Sequence, residues 1–308
     1  MGFWEQRAGL DGRVAVIFGG GGGLGRACAL DLGAAGVRLA LNDRNEELVE
    51  ETAELLRAKG AEVITSVFDG REPDRQADFF DQVDAAFGGV DILVNVIGGT
   101  FPQAFVDSGP RGWDSLIRTN FTWLLGAIHL AVPRMQARGG GSIIQLTSIE
   151  GHRAAPGHAV YSAMKAAVAN LSRSLAVELA ADGIRVNSIA PDFVPTEGLA
   201  RLDDGLSTAE GDPRAALADG ISIPMGRRGD YADIGGCALF LASDLSRFVT
   251  GTTLHPDGGT WASSGWSHWP DTGWGTRPPD TVIDTFLAKV DGLPGQGRRP
   301  PGSDQSSL

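Results

Sequence analysis

The chain has 308 residues and sets 38 acidic against 26 basic side chains, for a formal net charge of −12 and a pI near 4.8. That sign disfavours a surface built to grip nucleic-acid phosphates. A composition of 42% hydrophobic and 21% charged residues fits neither a disordered chain nor a disulfide scaffold. The two cysteines, Cys28 and Cys237, have no ligand-type spacing. No disulfide and no metal set are therefore expected, and a reducing, cytoplasmic setting is the natural one. The opening Met1-Gly2-Phe3-Trp4-Glu5-Gln6 lacks a basic stretch followed by an apolar one. Apolar runs also stop far short of the roughly 20 residues that span a bilayer, so a soluble protein with no membrane partner is expected.

In chain order, residues 1–11 read as an N-terminal arm. Short apolar runs then alternate with stretches of helical period: strands are expected at 14–18, 37–41, 63–68, 92–94, 142–146 and 184–189, with helices such as 46–59 and 74–87 between them. This strand–helix rhythm predicts an α/β fold in which a doubly wound parallel sheet lies between two helical layers, α/β/α, as a single domain over 12–259. Ligands of such sheets sit beyond the carboxyl ends of the strands. From 192 to 229 the rhythm breaks, with short helical patterns near 198–202 and 213–218, and a substrate loop or lid is expected there. The remainder, 260–308, is a C-terminal extension holding Trp261, Trp266, Trp269 and Trp274 before a Pro/Gly/Ser-rich end that reads as disordered. The four indoles point to a lid or an interface, since soluble chains rarely expose so many.

Directly after the first strand comes Gly19-Gly20-Gly21-Gly22-Gly23-Leu24-Gly25, leading into a helix. A tight turn that lets a dinucleotide pyrophosphate approach a helix N-terminus requires such glycines. The second strand ends at Asn42-Asp43-Arg44, placing Asp43 18 residues beyond Gly25, where a carboxylate accepts from adenosine ribose hydroxyls. Asp43 favours NAD, and Arg44 argues for the 2′-phosphate of NADP. Asp43 is given the greater weight because position 22 is glycine and offers no second basic contact, so NAD is the expected cofactor and NADP the alternative.

Tyr161-Ser162-Ala163-Met164-Lys165 sets a phenol and an ammonium four residues apart, on one face of one helix. A neighbouring lysine cation, helped by the charged nicotinamide, lowers the phenol pKa from its ordinary value near 10 and lets it exchange a proton near neutral pH. Ser148 follows the fifth strand, and Asp91-Ile92-Leu93-Val94-Asn95-Val96-Ile97-Gly98 ends at the same sheet edge.

With these residues the sequence resembles the short-chain dehydrogenase/reductase superfamily in its ordinary-length branch, from about residue 12 to 259. The family's glycine loop matches Gly19, Gly23 and Gly25, with Leu24 beside them. Its Asn-Asn-Ala-Gly turn matches Asn95 and Gly98, and its Asn, Ser, Tyr-x-x-x-Lys set matches Asn120, Ser148, Tyr161 and Lys165. The resemblance implies a Rossmann-like fold and a homo-oligomer, tetramer or dimer. It implies Tyr161 as general acid/base, Lys165 holding the ribose and depressing the phenol pKa, Ser148 on the substrate oxygen and Asn120 holding a relay water. It also implies Asp69 beside the adenine, and Pro191, Val194 and Thr196 near the nicotinamide.

The pattern is broken at Phe18, in place of the loop Thr, at Val96-Ile97, and at Asp192, in place of Gly. Losing the Thr hydroxyl removes a hydrogen bond worth about 1 kcal/mol and predicts a looser loop. Asp192 is read either as a group at the substrate mouth or as a surface carboxylate capping a short helix. Glu150, His152 and His158 are candidates for the pocket wall. The expected activity is interconversion of a secondary alcohol and a ketone on a small molecule by hydride transfer; an NADP-linked carbonyl reductase and a non-catalytic nucleotide sensor are the rival readings.

Overall fold

Every side chain of strand β1 (Val14–Phe18) is buried. Successive side chains of a strand point to opposite faces, so Val14, Val16 and Phe18 enter one apolar layer while Ala15 and Ile17 enter the other. A strand with both faces covered has to be apolar throughout, and this is why the sequence shows runs there in place of alternation. The computed structural model describes residues 2–195 and 212–290.

The sheet continues with β2 (Arg38–Asp43), β3 (Val63–Val67), β4 (Ile92–Asn95), β5 (Gly141–Leu146), β6 (Ile184–Ile189) and β7 (Thr253–Leu254). Its seven strands run in the order β3-β2-β1-β4-β5-β6-β7, all parallel. Phe18 pairs with Asn42 on one side and Asn95 on the other, so the order reverses beside the end of β1. A crevice opens at such a reversal.

Helices α2 (Gly23–Ala34), α3 (Glu46–Ala58) and α9 (Tyr231–Ala242) cover one face through Cys28, Leu32, Val49, Leu56, Ile234 and Leu241. The other face is covered by α4 (Pro73–Phe87), α6 (Trp123–Ala137) and α7 (Ala159–Glu178). The three-layer architecture is the expected one. Helix α3 is amphipathic, turning Val49, Ala53 and Leu56 inward and leaving Glu47, Glu51 and Glu54 exposed. Asn45 caps this helix by accepting from the Leu48 amide at 3.1 Å.

Phe18 occupies the middle of an aromatic cluster, its ring centroid 5.5 Å from Trp123, 5.7 Å from Phe79, 6.1 Å from Phe80 and 6.4 Å from Phe68. The side chain that departs from the glycine-loop pattern thus anchors the loop in the core. This corrects the expectation of a looser loop.

Several elements were not legible beforehand. Helix α1 (Phe3–Ala8) lies in the N-terminal arm, and β7 is only two residues long. The chain from α5 (Pro110–Ile117) to α6 passes through a π-helical turn, Arg118–Thr122. Helix α8 (Pro213–Ser222) matches the pattern expected near 213–218, whereas that near 198–202 lies outside the described residues, as does the Pro/Gly/Ser-rich end from 291. The C-terminal extension is structured up to that point. It contains α10 (Thr260–Ser263), an antiparallel hairpin of β8 (Ser267–Trp269) and β9 (Gly273–Gly275), and α11 (Asp280–Val290). Among the described residues no helix is long and apolar enough to cross a membrane, and Cys28 and Cys237 are free thiols.

Candidate active site

Two neighbouring cavities occupy the crevice, one of about 500 Å³ reaching Gly19, Asp43, Arg44 and Asp69, the other of about 660 Å³ reaching Ser148, Tyr161 and Lys165. They share Val96, Gly98, Gly99 and Thr100 as walls, so they form one trough across the strand-order reversal.

The first half is shaped by glycine. Gly19 has φ +83° and Gly23 φ +51°, and the Gly19 and Gly20 amides donate to the Asn42 carbonyl at 2.8 and 2.9 Å. A Cβ at Gly25 would collide with the Gly19 carbonyl, so only glycine allows α2 to start this close to the loop. Gly22 at the helix cap offers no side-chain hydrogen bond to the first turn, leaving its amides for an anion. Asp43 accepts from the Gly21 amide at 3.1 Å and from the Asn45 amide at 3.0 Å, which aims its carboxylate across the loop. Arg44 is exposed on the same wall.

Asp69 is gripped by Arg71, whose Nε lies 2.9 and 3.1 Å from its two oxygens and whose Nη1 donates to Thr119 at 3.0 Å. That hydrogen-bonded guanidinium holds the Asp69 carboxyl below its usual range. Arg71 was not singled out from the sequence; its lone position two residues after Asp69 gave no sign of the clamp. The cradle suits a dinucleotide: an unobstructed helix N-terminus for the pyrophosphate and a carboxylate for the ribose at its far end.

In the second half, Lys165 is buried and donates from Nζ to the Leu146 carbonyl at 2.9 Å, 5.7 Å from the Tyr161 ring centre. Burial pushes its pKa down to about 8, so the amine still carries its charge at neutral pH. Burial pushes the Tyr161 phenol above its ordinary value; the hydrogen bond with Ser148 pulls it back and the Glu150 charge pushes it up again. The expected depression of this pKa by Lys165 is therefore not a property of the chain alone.

Asn120 sits in the π-helical turn and is buried, with Nδ2 donating to the Gly99 carbonyl at 2.8 Å and the Leu116 carbonyl at 3.0 Å. Its Oδ1 accepts from the Gly99 amide at 3.0 Å. A Cβ at Gly98 would stand 2.9 Å from both Asn120 Oδ1 and Lys165 Nζ. Asn120 and Lys165 therefore converge on the bare Gly98-Gly99 turn, which Asn120 brackets with both of its side-chain polar atoms. Asn95, expected at the cofactor, lies beneath the floor and donates to Gln145 Oε1 at 3.1 Å. Leu24, Pro191 and Val194 line the cavity. Thr196 lies outside the described residues.

Asp192 is no surface cap: its side chain is 10% exposed and accepts from Thr260 Oγ1 at 2.7 Å, Arg153 Nη2 at 3.1 Å and the Phe193 amide at 3.0 Å. Desolvation raises its pKa. Glu150 and His158 line the cavity, His158 bridging through Nδ1 to Thr100 Oγ1 at 2.9 Å. His152 instead turns toward the extension, 4.7 Å from the His255 ring, which stacks on Trp261 at 4.5 Å. Arg153 went unnoticed in the sequence, although it faces the cavity. Among the described residues no cluster of three or more His, Cys, Asp or Glu side chains could hold a metal ion.

A three-layer α/β/α fold with a glycine-lined anion cradle at one end of its crevice and a paired phenol and ammonium at the other defines an oxidoreductase of the nicotinamide-dinucleotide type. The family model described as "Enoyl-(Acyl carrier protein) reductase" matches residues 20–260, and the chain belongs to the short-chain dehydrogenase/reductase superfamily. It is similar to the 2,5-dichloro-2,5-cyclohexadiene-1,4-diol dehydrogenase LinX of Sphingobium indicum, 34% identical over 250 residues, 81% of this chain and 96% of that protein. It is equally similar to the 3-oxoacyl-[acyl-carrier-protein] reductase FabG of Staphylococcus epidermidis, 34% identical over 252 residues, 80% of this chain and 98% of that one. Among solved structures, a gluconate 5-dehydrogenase from Burkholderia cenocepacia in complex with NADP and tartrate superposes with a TM-score of 0.73 at 34% identity, over 82% of this chain and 96% of that one. The protein is thus an NAD(P)-dependent oxidoreductase.

Proposed function

We propose that this protein interconverts a secondary alcohol and a ketone with NAD as its preferred cofactor and Tyr161 as general acid/base. The observation that carries the reading is the convergence of Ser148, Tyr161 and Lys165 on one cavity that runs into the glycine cradle ending at Asp43. The dinucleotide, when bound, supplies the acceptor or donor of the hydride.

The chain's own residues handle position and proton. Gly22 and Gly23, at the open N-terminus of α2, face the pyrophosphate with backbone amides, Asp43 accepts from the ribose hydroxyls, and Pro191 and Val194 border the nicotinamide end. Ser148 donates to the substrate oxygen and fixes it beside the phenol. In oxidation Tyr161 takes the proton of that oxygen, and in reduction it returns one. Lys165 keeps a positive charge near the phenol and reaches the ribose at the same time. Asn120 acts through the Gly98-Gly99 turn, holding it where Lys165 needs open space.

The preference for NAD rests on Asp43, whose charge opposes a 2′-phosphate; Arg44 is exposed on the same wall, and the other cation of this cavity, Arg71, is paired with Asp69. Domain limits of 12–259 for the catalytic unit and 260–308 for the extension belong to the same reading. So do the cytoplasmic setting, supported by two free thiols, and assembly as a homo-oligomer. Side-by-side titration of the purified protein with NADH and NADPH at one salt concentration tests the cofactor assignment. Tighter NADH is expected; tighter NADPH would transfer the role to Arg44.

A further inference from the structure

One wall of the larger cavity carries a charged group through which the proposed proton transfer does not pass. Glu150 and Arg153 stand side by side on the segment after β5, and Asp192 meets them from the segment after β6. This wall is tied to the reacting phenol at several points. The Ser162 hydroxyl, next to Tyr161, donates to the Glu150 carbonyl at 2.5 Å. A Cβ at Gly151 would lie 2.8 Å from the Lys165 carbonyl carbon, so the segment rests directly on the turn that bears Lys165. Thr260 fixes Asp192 from the C-terminal extension.

The hydrogen bonding within the group is incomplete in a specific way. Arg153 engages only Nη2, with Glu150 Oε1 at 2.9 Å and Asp192 Oδ2 at 3.1 Å. Among the described residues its Nε and Nη1 have no protein partner, and neither has Glu150 Oε2. One cation between two anions leaves the wall with an excess negative charge. Free donors and a free charged acceptor are therefore carried by two paired residues of one cavity wall.

Each ligand chemistry meets this wall differently. A carboxylate would accept from Arg153 but has no proton for Glu150, whose charge repels it. An ammonium would donate to Glu150 but has no lone pair for Arg153. An alkyl chain would strip water from both and return nothing. A hydroxyl donates and accepts at once, and satisfies both.

We propose that Glu150 and Arg153 form a hydroxyl-recognition subsite, and that the substrate is a neutral polyol or hydroxyketone whose second hydroxyl donates to Glu150 Oε2 and accepts from the free edge of Arg153. This rests on the alcohol/ketone reading above and names the substrate class for it. Asp192 is a positioning residue here, holding Arg153 against the wall and linking it to Thr260.

The test uses the full chain saturated with whichever reduced cofactor it binds, titrated calorimetrically with cyclohexanol, the cyclohexanediols, 2-hydroxycyclohexanecarboxylate and 2-aminocyclohexanol. At least one diol should bind about tenfold or more tighter than cyclohexanol, because a site built to bond a hydroxyl penalises its absence. That diol should also bind tighter than the hydroxy acid and the amino alcohol. In Glu150→Ala and Arg153→Met the ratio of diol to cyclohexanol affinity should fall to about threefold or less. Equal binding of cyclohexanol and every diol, tightest binding of the acid or the amine, or no binding of any of the four overturns the subsite. A ratio unchanged in both variants does the same. Failure of the underlying reading has its own signature: diols that bind with the expected ratio but are oxidised equally well by Tyr161→Phe.

Discussion

Replacing Lys165 by Met should stabilise the fold while destroying the enzyme. The amine is buried, and burial has brought its pKa from 10.5 to about 8. A base whose folded-state pKa is depressed binds fewer protons folded than unfolded between those two values, so stability rises as pH climbs from about 8 toward 10.5. Below pH 8 the full penalty applies. At 1.36 kcal/mol per pH unit it amounts to about 3 kcal/mol at pH 7 and shrinks to about 1 kcal/mol at pH 10. Methionine removes the charge and keeps most of the volume, but leaves the Leu146 carbonyl without its 2.9 Å donor, a loss of about 1 kcal/mol. The net expectation is a gain of about 2 kcal/mol at pH 7 that vanishes near pH 10. Urea unfolding of both proteins at one protein concentration, at pH 7 and pH 10, measures it. A variant less stable at pH 7, or a difference that does not change with pH, would refute the reasoning about the buried charge.

Other perturbations have equally definite signs. Phe18→Ala should lose about 3 to 5 kcal/mol in urea unfolding, since four aromatic rings pack around that side chain; a loss below 1 kcal/mol would contradict its role as the loop's anchor. Gly25→Ala forces a methyl into the Gly19 carbonyl and should weaken NADH binding about tenfold or more in a fluorescence titration. Ser148→Ala and Glu150→Gln should move the pH profile of kcat/KM for alcohol oxidation in opposite directions. The Ser148 bond lowers the phenol pKa and the Glu150 charge raises it, so losing the first shifts the rise to higher pH and losing the second to lower pH. Shifts of the same sign would remove Tyr161 as the titrating group.

The sheet was legible because buried parallel strands have to be apolar on both faces, as β1 and the Ile92-Leu93-Val94 run of β4 are, and the helices between them because α3 and α4 carry one-sided stripes. Strand β7 escaped notice since two residues paired only through β6 leave no period to read. The same holds for the three-residue strands of the extension's hairpin. At the site, a tyrosine and a lysine one helical turn apart are on their own more often a packed ring and a solvated amine, and Tyr161 and Lys165 could be found because Ser148 and the end of β4 fall at the same sheet edge. Arg153 and Asp192 could not be joined beforehand, because their partners lie 39 and 68 positions away along the chain. Arg71 was hidden for the opposite reason: an arginine two residues from an aspartate is a common surface pair until Thr119 shows what it spans.

The most direct test of the central claim is Tyr161→Phe assayed two ways on one preparation, by NADH titration and by alcohol oxidation. The phenol hydroxyl is placed to move a proton and the cradle to hold the dinucleotide, so affinity should stay within about threefold of the wild type while turnover falls by at least about a hundredfold. Turnover retained in the variant would contradict the account.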